Sequence, residues 1–490
     1  MRHDSKADRN VKTAIVWFRR DLRLADQPAL TAAIEWADRV VPVFIHAPAE
    51  AGPWRPGAAS QWWLHHSLIQ LSTALAERGA RLVIRCGESL PILRAIAAEC
   101  GATAVFWNRL YEPALVARDT DIKQALREDG LDVHSFNGAL LVEPWQLKTG
   151  SGEPYRVFTP FWRAAMALLP PQQPVPAPQQ IPGQSCEGLT VDALALLPRI
   201  AWDGGLRQRW RPGEPGALAQ LDGFCKTALA DDQPHRDQPA TAGTSSLSPY
   251  LHFGEIGPRQ ILARFRQAEM SNHQDGVVEN SSGFLRQIGW REFSHHQLFH
   301  FPHTSDAPLQ AKFEHFPWRA DDSADLQAWQ QGRTGIPLVD AGMRELWHSG
   351  WMHNRVRMVV ASFLTKNLLI RWQQGAKWFW DTLVDADLAQ NSLGWQWTAG
   401  CGADAAPYFR VFNPVLQSEK FDAEGDYIRQ WLPQLKDCPS KFIHAPWRAP
   451  AAVLQACGLV LGRDYPAPMV DLKQTRQRAL EAYQRIKAMP

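Results

Sequence analysis

No stretch of this sequence approaches the roughly 20 consecutive apolar residues that a membrane-spanning helix needs. Met1–Asn10 is polar where a secretory leader would carry an apolar run. Neither a membrane anchor nor export is therefore expected, and the cytoplasm is the expected compartment. Cysteine is scarce: Cys86, Cys100, Cys186, Cys225, Cys401, Cys438 and Cys457 are an odd number with no CxxC pair. That argues against a disulfide framework or a zinc site and fits reduced thiols. Charge of one sign is also lacking, since the formal net charge is +2. Composition thus announces no nucleic-acid partner, and any basic surface has to be local. No GxGxxG follows the first β-rich run, where WFRRDLRLADQPAL stands instead, so a Rossmann-type dinucleotide site is unsupported.

Tryptophan is the abundant residue. There are 22 in 490 positions, and twelve lie from Trp290 onward, more than core filling alone accounts for. Such rings serve packing, base stacking or electron relay, and position must separate these.

The first 140 residues alternate short β-rich runs with amphipathic stretches. The runs are Thr13–Phe18, Val40–His46, Arg81–Cys86, Ala104–Asn108 and Val133–Asn137; Gln61–Arg78 and Leu90–Cys100 carry helical patterns between them. This repetition predicts a doubly wound parallel sheet with helices on both faces. Pro170–Pro182 (PPQQPVPAPQQIP) is too stiff and polar for a core element and belongs to a connector. Beyond it helical periodicity dominates. The expected division is an α/β domain over 11–140, a linker over 141–205 and an all-α domain over 206–490.

Several clusters carry chemistry. TSSLS at 244–248 places hydroxyls and free amides at a helix start, which reads as an anion site or as a plain cap. Gln287, Trp290 and Arg291 share one helix face at i, i+3 and i+4, as do Asn354, Arg357 and Met358, with Arg355 three residues before Met358. An amide, guanidinium and thioether on one wall suit a binding surface, though an ion-pair network would use the same residues. Asp385 and Asp387 have no histidine or third carboxylate at ligand spacing, so no metal is expected. The adjacent pairs His65/His66 and His295/His296 diverge on a helix and read as structural or surface residues.

Together the runs WFRRDLRL, TSSLSPYLHFGE, GWREF, TGIPLVDAGMREL, WMHNRVRM, DADLAQNSLGWQW and DAAPYFRVFNP resemble the photolyase/cryptochrome family over nearly the whole chain. Details such as FLRQIGWREF look like the bacterial photolyases that stand nearest to plant cryptochromes. The resemblance implies an all-α FAD-binding domain and light-driven splitting of cyclobutane pyrimidine dimers in UV-damaged DNA. A monomer is the expected state. An antenna chromophore such as methenyltetrahydrofolate is compatible with it, and Phe106–Pro113 sits where relatives hold such pigments.

The resemblance also implies roles. Thr244, Ser245, Ser246, Leu247 and Ser248 would hold the FAD pyrophosphate with Arg291 nearby. Trp351, Arg357, Asp385 and Asp387 would surround the flavin, Arg357 and Asp385 as an ion pair, while Asn391 would face its N5. Trp290 and Trp397 would be the aromatic walls of a lesion pocket completed by Asn354, Arg355 and Met358, with Arg236 and Gln417 as outer DNA contacts. Trp395, Trp372 and Trp318 match a three-tryptophan electron relay. Relatives acting on the (6-4) lesion carry histidines where Asn354 and Met358 stand, which argues for the cyclobutane dimer.

Two positions depart from the pattern. Gln287 stands where dimer photolyases usually place a lesion-binding Glu, and Asp232 stands at the family's adenine-side Tyr. Gln287 keeps an N–H donor but has no acidic proton. It raises a second possibility: a photolyase-like photoreceptor or repair accessory with weak repair.

Overall fold

The computed structural model describes residues 11–169, 173–227, 236–271, 275–320, 323–408 and 410–487. Asp232 and the first residues of the Pro170–Pro182 segment lie outside that set.

Five parallel strands form one sheet in the order β3-β2-β1-β4-β5: β1 Thr13–Phe18, β2 Arg39–His46, β3 Val83–Cys86, β4 Ala104–Asn108 and β5 Asp132–Phe136. The run TAIVWF is buried throughout, and apolar from Ala14 onward, because both faces of β1 are covered. Ala14, Val16 and Phe18 pack with helices α1 (Pro28–Trp36) and α2 (Ala58–Ala76). Ile15 and Trp17 pack on the other face with α3 (Ser89–Cys100) and α4 (Pro113–Glu128). The third strand is shorter than its β-rich run: pairing to β2 starts at Val83.

The segment expected as a linker contains structure of its own. Helix α5 (Phe158–Leu168) buries Phe158, Phe161 and Ala165. It meets α7 (Asp275–His300) so closely that a Cβ on Gly289 would stand 2.6 Å from the Trp162 ring. Further on, the connector runs along the sheet, where Gln184 and Leu189 amides donate to the carbonyls of Val40 and Ile84.

The remaining chain is helical. The helices that build the site are α6 (Ser248–His252), α7, α8 (Pro337–Ser349), α9 (Asn354–Ser362), α10 (Trp372–Thr382), α11 (Leu388–Ala399) and α12 (Pro414–Phe421). The two halves share one core, in which strand residues and α2 meet Leu247, Tyr250, Phe293 and Trp351. Polar clasps complete the junction: Asp381 caps the start of α2 through the Ala58 amide at 2.9 Å, and Glu292 accepts from the Leu141 amide at 2.8 Å. Among the described residues no helix is long and apolar enough to cross a membrane.

Candidate active site

The hydroxyl loop enters α6 through an unusual backbone. Ser246 is left-handed, with φ of 50°, and Leu247 next to it is right-handed, at φ −85° and ψ −7°. Alternation of this kind turns successive N–H groups inward and makes an anion-binding concavity. Among the described residues the amides of Ser245, Ser246 and Ser248 have no hydrogen-bond acceptor. Ser248 Oγ accepts from Trp351 Nε1 at 3.4 Å, which ties this loop to the turn between α8 and α9.

That turn depends on Gly350. It closes α8 in the left-handed region at φ +67°, and a Cβ there would stand 2.8 Å from Val384. Its carbonyl accepts from the Val384 amide at 2.8 Å, which sets the α9 entry beside Asp385. Arg357 Nη2 then reaches both oxygens of Asp385 at 3.1 and 2.9 Å, while its Nε donates to the Met352 carbonyl. The Asp385 side chain is only 3% exposed, so the pair depends on its partner for charge balance. Asn391, in the first turn of α11, donates Nδ2 to the Ala376 carbonyl at 3.0 Å. Its Oδ1 is the group left for another partner.

Two residues placed by resemblance around the cofactor have other engagements. Asp387 is the N-cap of α11, accepting from the Gln390 amide at 3.0 Å. Its other oxygen lies 3.5 Å from His295 Nε2 and 3.8 Å from His252 Nδ1. Burial opposes its charge, yet these two histidines hold the carboxyl well below the usual carboxylate range. His295 is thus a buried partner of Asp387. Arg291 directs its guanidinium at the Ala139 carbonyl, 2.8 Å away, and its Nε is buried without a hydrogen-bond partner among the described residues.

A cavity of about 690 Å³ opens at the far side of α9, within the size range of ligand clefts. Arg355, Met358 and Gln417 line it, together with Asp237, Arg410, Leu416, Lys420 and Phe421. Asn354 is exposed at its edge, its amide 4.0 Å from the Met358 sulfur. Arg236 precedes Asp237 and accepts through its carbonyl from His353 Nε2 at 2.9 Å. Gln287, Trp290 and Trp397 do not line this cavity. They stand half-buried on α7 and α11, which pack together, and Trp290 stacks on Phe158 at 3.8 Å.

His353 holds the cavity wall in place. It caps α9 by accepting from the Arg355 amide while its other nitrogen grips residue 236. Burial pushes this imidazole down to about 4. The unfolded chain takes up a proton as pH falls through about 6.5, whereas the folded chain resists until about 4. Stability is therefore lost across that window, on the order of 3 kcal/mol at 1.36 kcal/mol per unit. His353→Asn keeps a capping acceptor without titrating near neutrality. Unfolding midpoints between pH 7 and 4.5 should fall less steeply for it than for the wild type; parallel curves would exclude this role.

Of the three tryptophans that the resemblance gives as a relay, two are in the core and one is near the surface. Trp395 is 3% exposed and Trp372 2%, while Trp318 is half-buried against Phe316 at 4.4 Å. Trp395 reaches α10 because residue 375 is glycine: a Cβ there would stand 2.1 Å from the indole. Its ring meets Phe379 at 5.0 Å and Trp329 at 6.2 Å.

Sequence reasoning passed over Asp237, Phe421 and Trp329. The first two neighbour residues it did select, Arg236 and Gln417. No motif marks Trp329, which is fully buried and donates Nε1 to the Val360 carbonyl at 3.1 Å.

Comparison with known proteins agrees with this architecture. Residues 14–179 match a family model described as DNA photolyase, and residues 284–485 one described as the FAD binding domain of DNA photolyase. The chain is 48% identical over 484 residues to the deoxyribodipyrimidine photo-lyase of Agrobacterium fabrum, covering 98% of this chain and 99% of that protein. Cryptochrome-2 of Arabidopsis thaliana is 43% identical over 488 residues, covering 97% of this chain and 79% of that protein. The crystal structure of a bacterial class III photolyase from Agrobacterium tumefaciens superposes with a TM-score of 0.94 at 47% identity, over 99% of both chains. Fold, family matches and relatives converge: the chain belongs to the photolyase/cryptochrome family, and its helical half is an FAD-binding domain.

Proposed function

We propose that the protein is a light-driven photolyase that splits cyclobutane pyrimidine dimers in UV-damaged DNA, acting as a cytoplasmic monomer. The observation that carries this reading is α9 itself. One helix turns Arg357 to Asp385 on the cofactor side and lines the 690 Å³ cavity with Arg355 and Met358 on another. A residue two positions on points about 200° away around a helix, so α9 partitions two compartments.

FAD, when bound and reduced, supplies a light-excited electron donor. The loop 244–248 would hold its pyrophosphate through the free amides, and the Arg357–Asp385 pair and Trp351 would wall the ring. Asn391 Oδ1 would accept a hydrogen bond from flavin N5–H, since Nδ2 already donates to the Ala376 carbonyl. On the lesion side Asn354, Arg355, Met358 and Gln417 would bind a flipped-out dimer. Trp290, Trp397 and Gln287 would meet it from α7 and α11. Stacking on such rings contributes about 1–3 kcal/mol per base, and Arg236 would serve as an outer phosphate contact.

Illuminating reduced protein with dimer-containing DNA should restore thymine absorbance; no recovery would refute the enzyme reading. Gln287 favours the second reading, a photoreceptor or accessory with weak repair. A carboxyl that holds a proton can hydrogen-bond a thymine carbonyl and stabilise charge arriving there, whereas an amide offers only its neutral bond. One such bond is worth about 1–3 kcal/mol. Gln287→Glu should therefore raise the number of dimers split per absorbed photon while leaving FAD content unchanged. Equal yields would show that the amide suffices.

A further inference from the structure

Among the residues that line the 690 Å³ cavity, Arg355, Arg410 and Lys420 are cationic and Asp237 is the one acid. A carboxylate facing a polyanion opposes binding, so its presence needs a reason. Asp237 Oδ2 lies 2.6 Å from Arg355 Nη2, and the guanidinium rests on the Phe421 ring at 4.4 Å. Among the described residues Arg355 Nε is buried without a hydrogen-bond partner. Asp237 is thus the single acceptor holding that guanidinium among the described residues. Arg410 and Lys420, both exposed, have no carboxylate within ion-pair distance among those residues. The frame on both sides of the Asp237–Arg355 bridge is fixed by His353, which bonds the Arg355 amide and the Arg236 carbonyl at once.

We propose that Asp237 is a specificity-determining positioning residue: through Arg355 it lowers the protein's hold on undamaged DNA. This rests on the reading of the cavity as the lesion site. An intact duplex keeps its phosphates outside the concavity and meets Arg355 already neutralised and clamped on Phe421. Its general attraction then comes from the unpaired cations. A flipped-out dimer brings carbonyls and an internal phosphate into the concavity, where Arg355 is already aimed. Without the carboxylate, Arg355 is free to swing outward to the phosphates of any duplex, adding one contact that carries no information about damage.

The test is Asp237→Asn, with Asp237→Glu as the conservative control, assayed for binding to the same duplex with and without one cyclobutane dimer across a salt series. Each added phosphate contact steepens the log–log salt dependence by about 0.9. Asp237→Asn should bind undamaged duplex about 3- to 10-fold more tightly at low salt, with a slope steeper by about one. Its affinity for the dimer should change less, so discrimination falls; Asp237→Glu should stay near wild type. An unchanged slope and ratio in Asp237→Asn overturns the proposal. So does an equal loss on both DNAs, which would make the residue merely structural. A wild type without preference for dimer-containing duplex overturns the lesion reading itself, independently of any change at Asp237.

Discussion

Arg357→Ala is expected to purify nearly free of flavin and to lose about 3–5 kcal/mol of stability, the cost of leaving one member of a buried pair without its partner. The carboxylate left behind is Asp385, whose side chain is 3% exposed. Alanine also removes the donor to the Met352 carbonyl, which loosens the turn that carries Trp351 and, through it, Ser248. Cofactor walls and cofactor loop are therefore disturbed together. A tenfold drop in affinity requires only about 1.4 kcal/mol. The double variant Arg357→Met/Asp385→Asn separates the two effects. With no buried charge left unpaired it should regain most of the stability, yet still bind FAD poorly. Flavin absorbance per chain and unfolding midpoints of both variants check this; full flavin content in Arg357→Ala would remove the pair from the cofactor wall.

The contrast between what was legible in the sequence and what was not follows from the range of the interactions. The sheet was legible because a strand covered on both faces reads as a near-continuous apolar run, as Ala14–Phe18 does. The i, i+3 and i+4 spacing placed Asn354, Arg357 and Met358 on one face, whereas Arg357 turns to Asp385 and Met358 lines the cavity beside Arg355. Helix α5 was hidden by Pro160 and the proline-rich run after it, although Phe158, Phe161 and Ala165 lie at the spacing of one helix face. Asp387 illustrates a signal that was present and outweighed. Asp387 followed three residues later by Gln390 is the start of a capped helix, and the carboxylate does cap α11. Asp237 could not be paired with Arg355 from sequence, because 118 positions separate them and only the fold brings them together. The same holds for Trp329 against Trp395, which meet through the packing of separate helices.

Trp395→Phe should slow blue-light reduction of oxidised FAD about tenfold or more, the factor that each 1.36 kcal/mol of added barrier produces. Repair by chemically pre-reduced protein should stay nearly intact, since a relay would only recharge the flavin, whereas the repair electron would pass from flavin to lesion. Trp395 is buried, resting on Gly375 and touching Phe379; Trp372 is buried as well, and Trp318 reaches partial exposure. An indole is far more readily oxidised than a benzene ring, so phenylalanine keeps an aromatic contact with α10 but interrupts a chain of oxidisable side chains. The smaller ring leaves some empty space in the core, so FAD content and unfolding midpoint are measured alongside the photoreduction rate. A rate loss at constant FAD content assigns the effect to electron supply. An unchanged rate means that Trp395 is only a core residue and that another ring serves. Trp329 is the next candidate, because it stands 6.2 Å from Trp395 in an edge-on arrangement with its Nε1 fixed to Val360. Trp329→Phe, alone and combined with Trp395→Phe, then decides between a branched route and none through this part of the core.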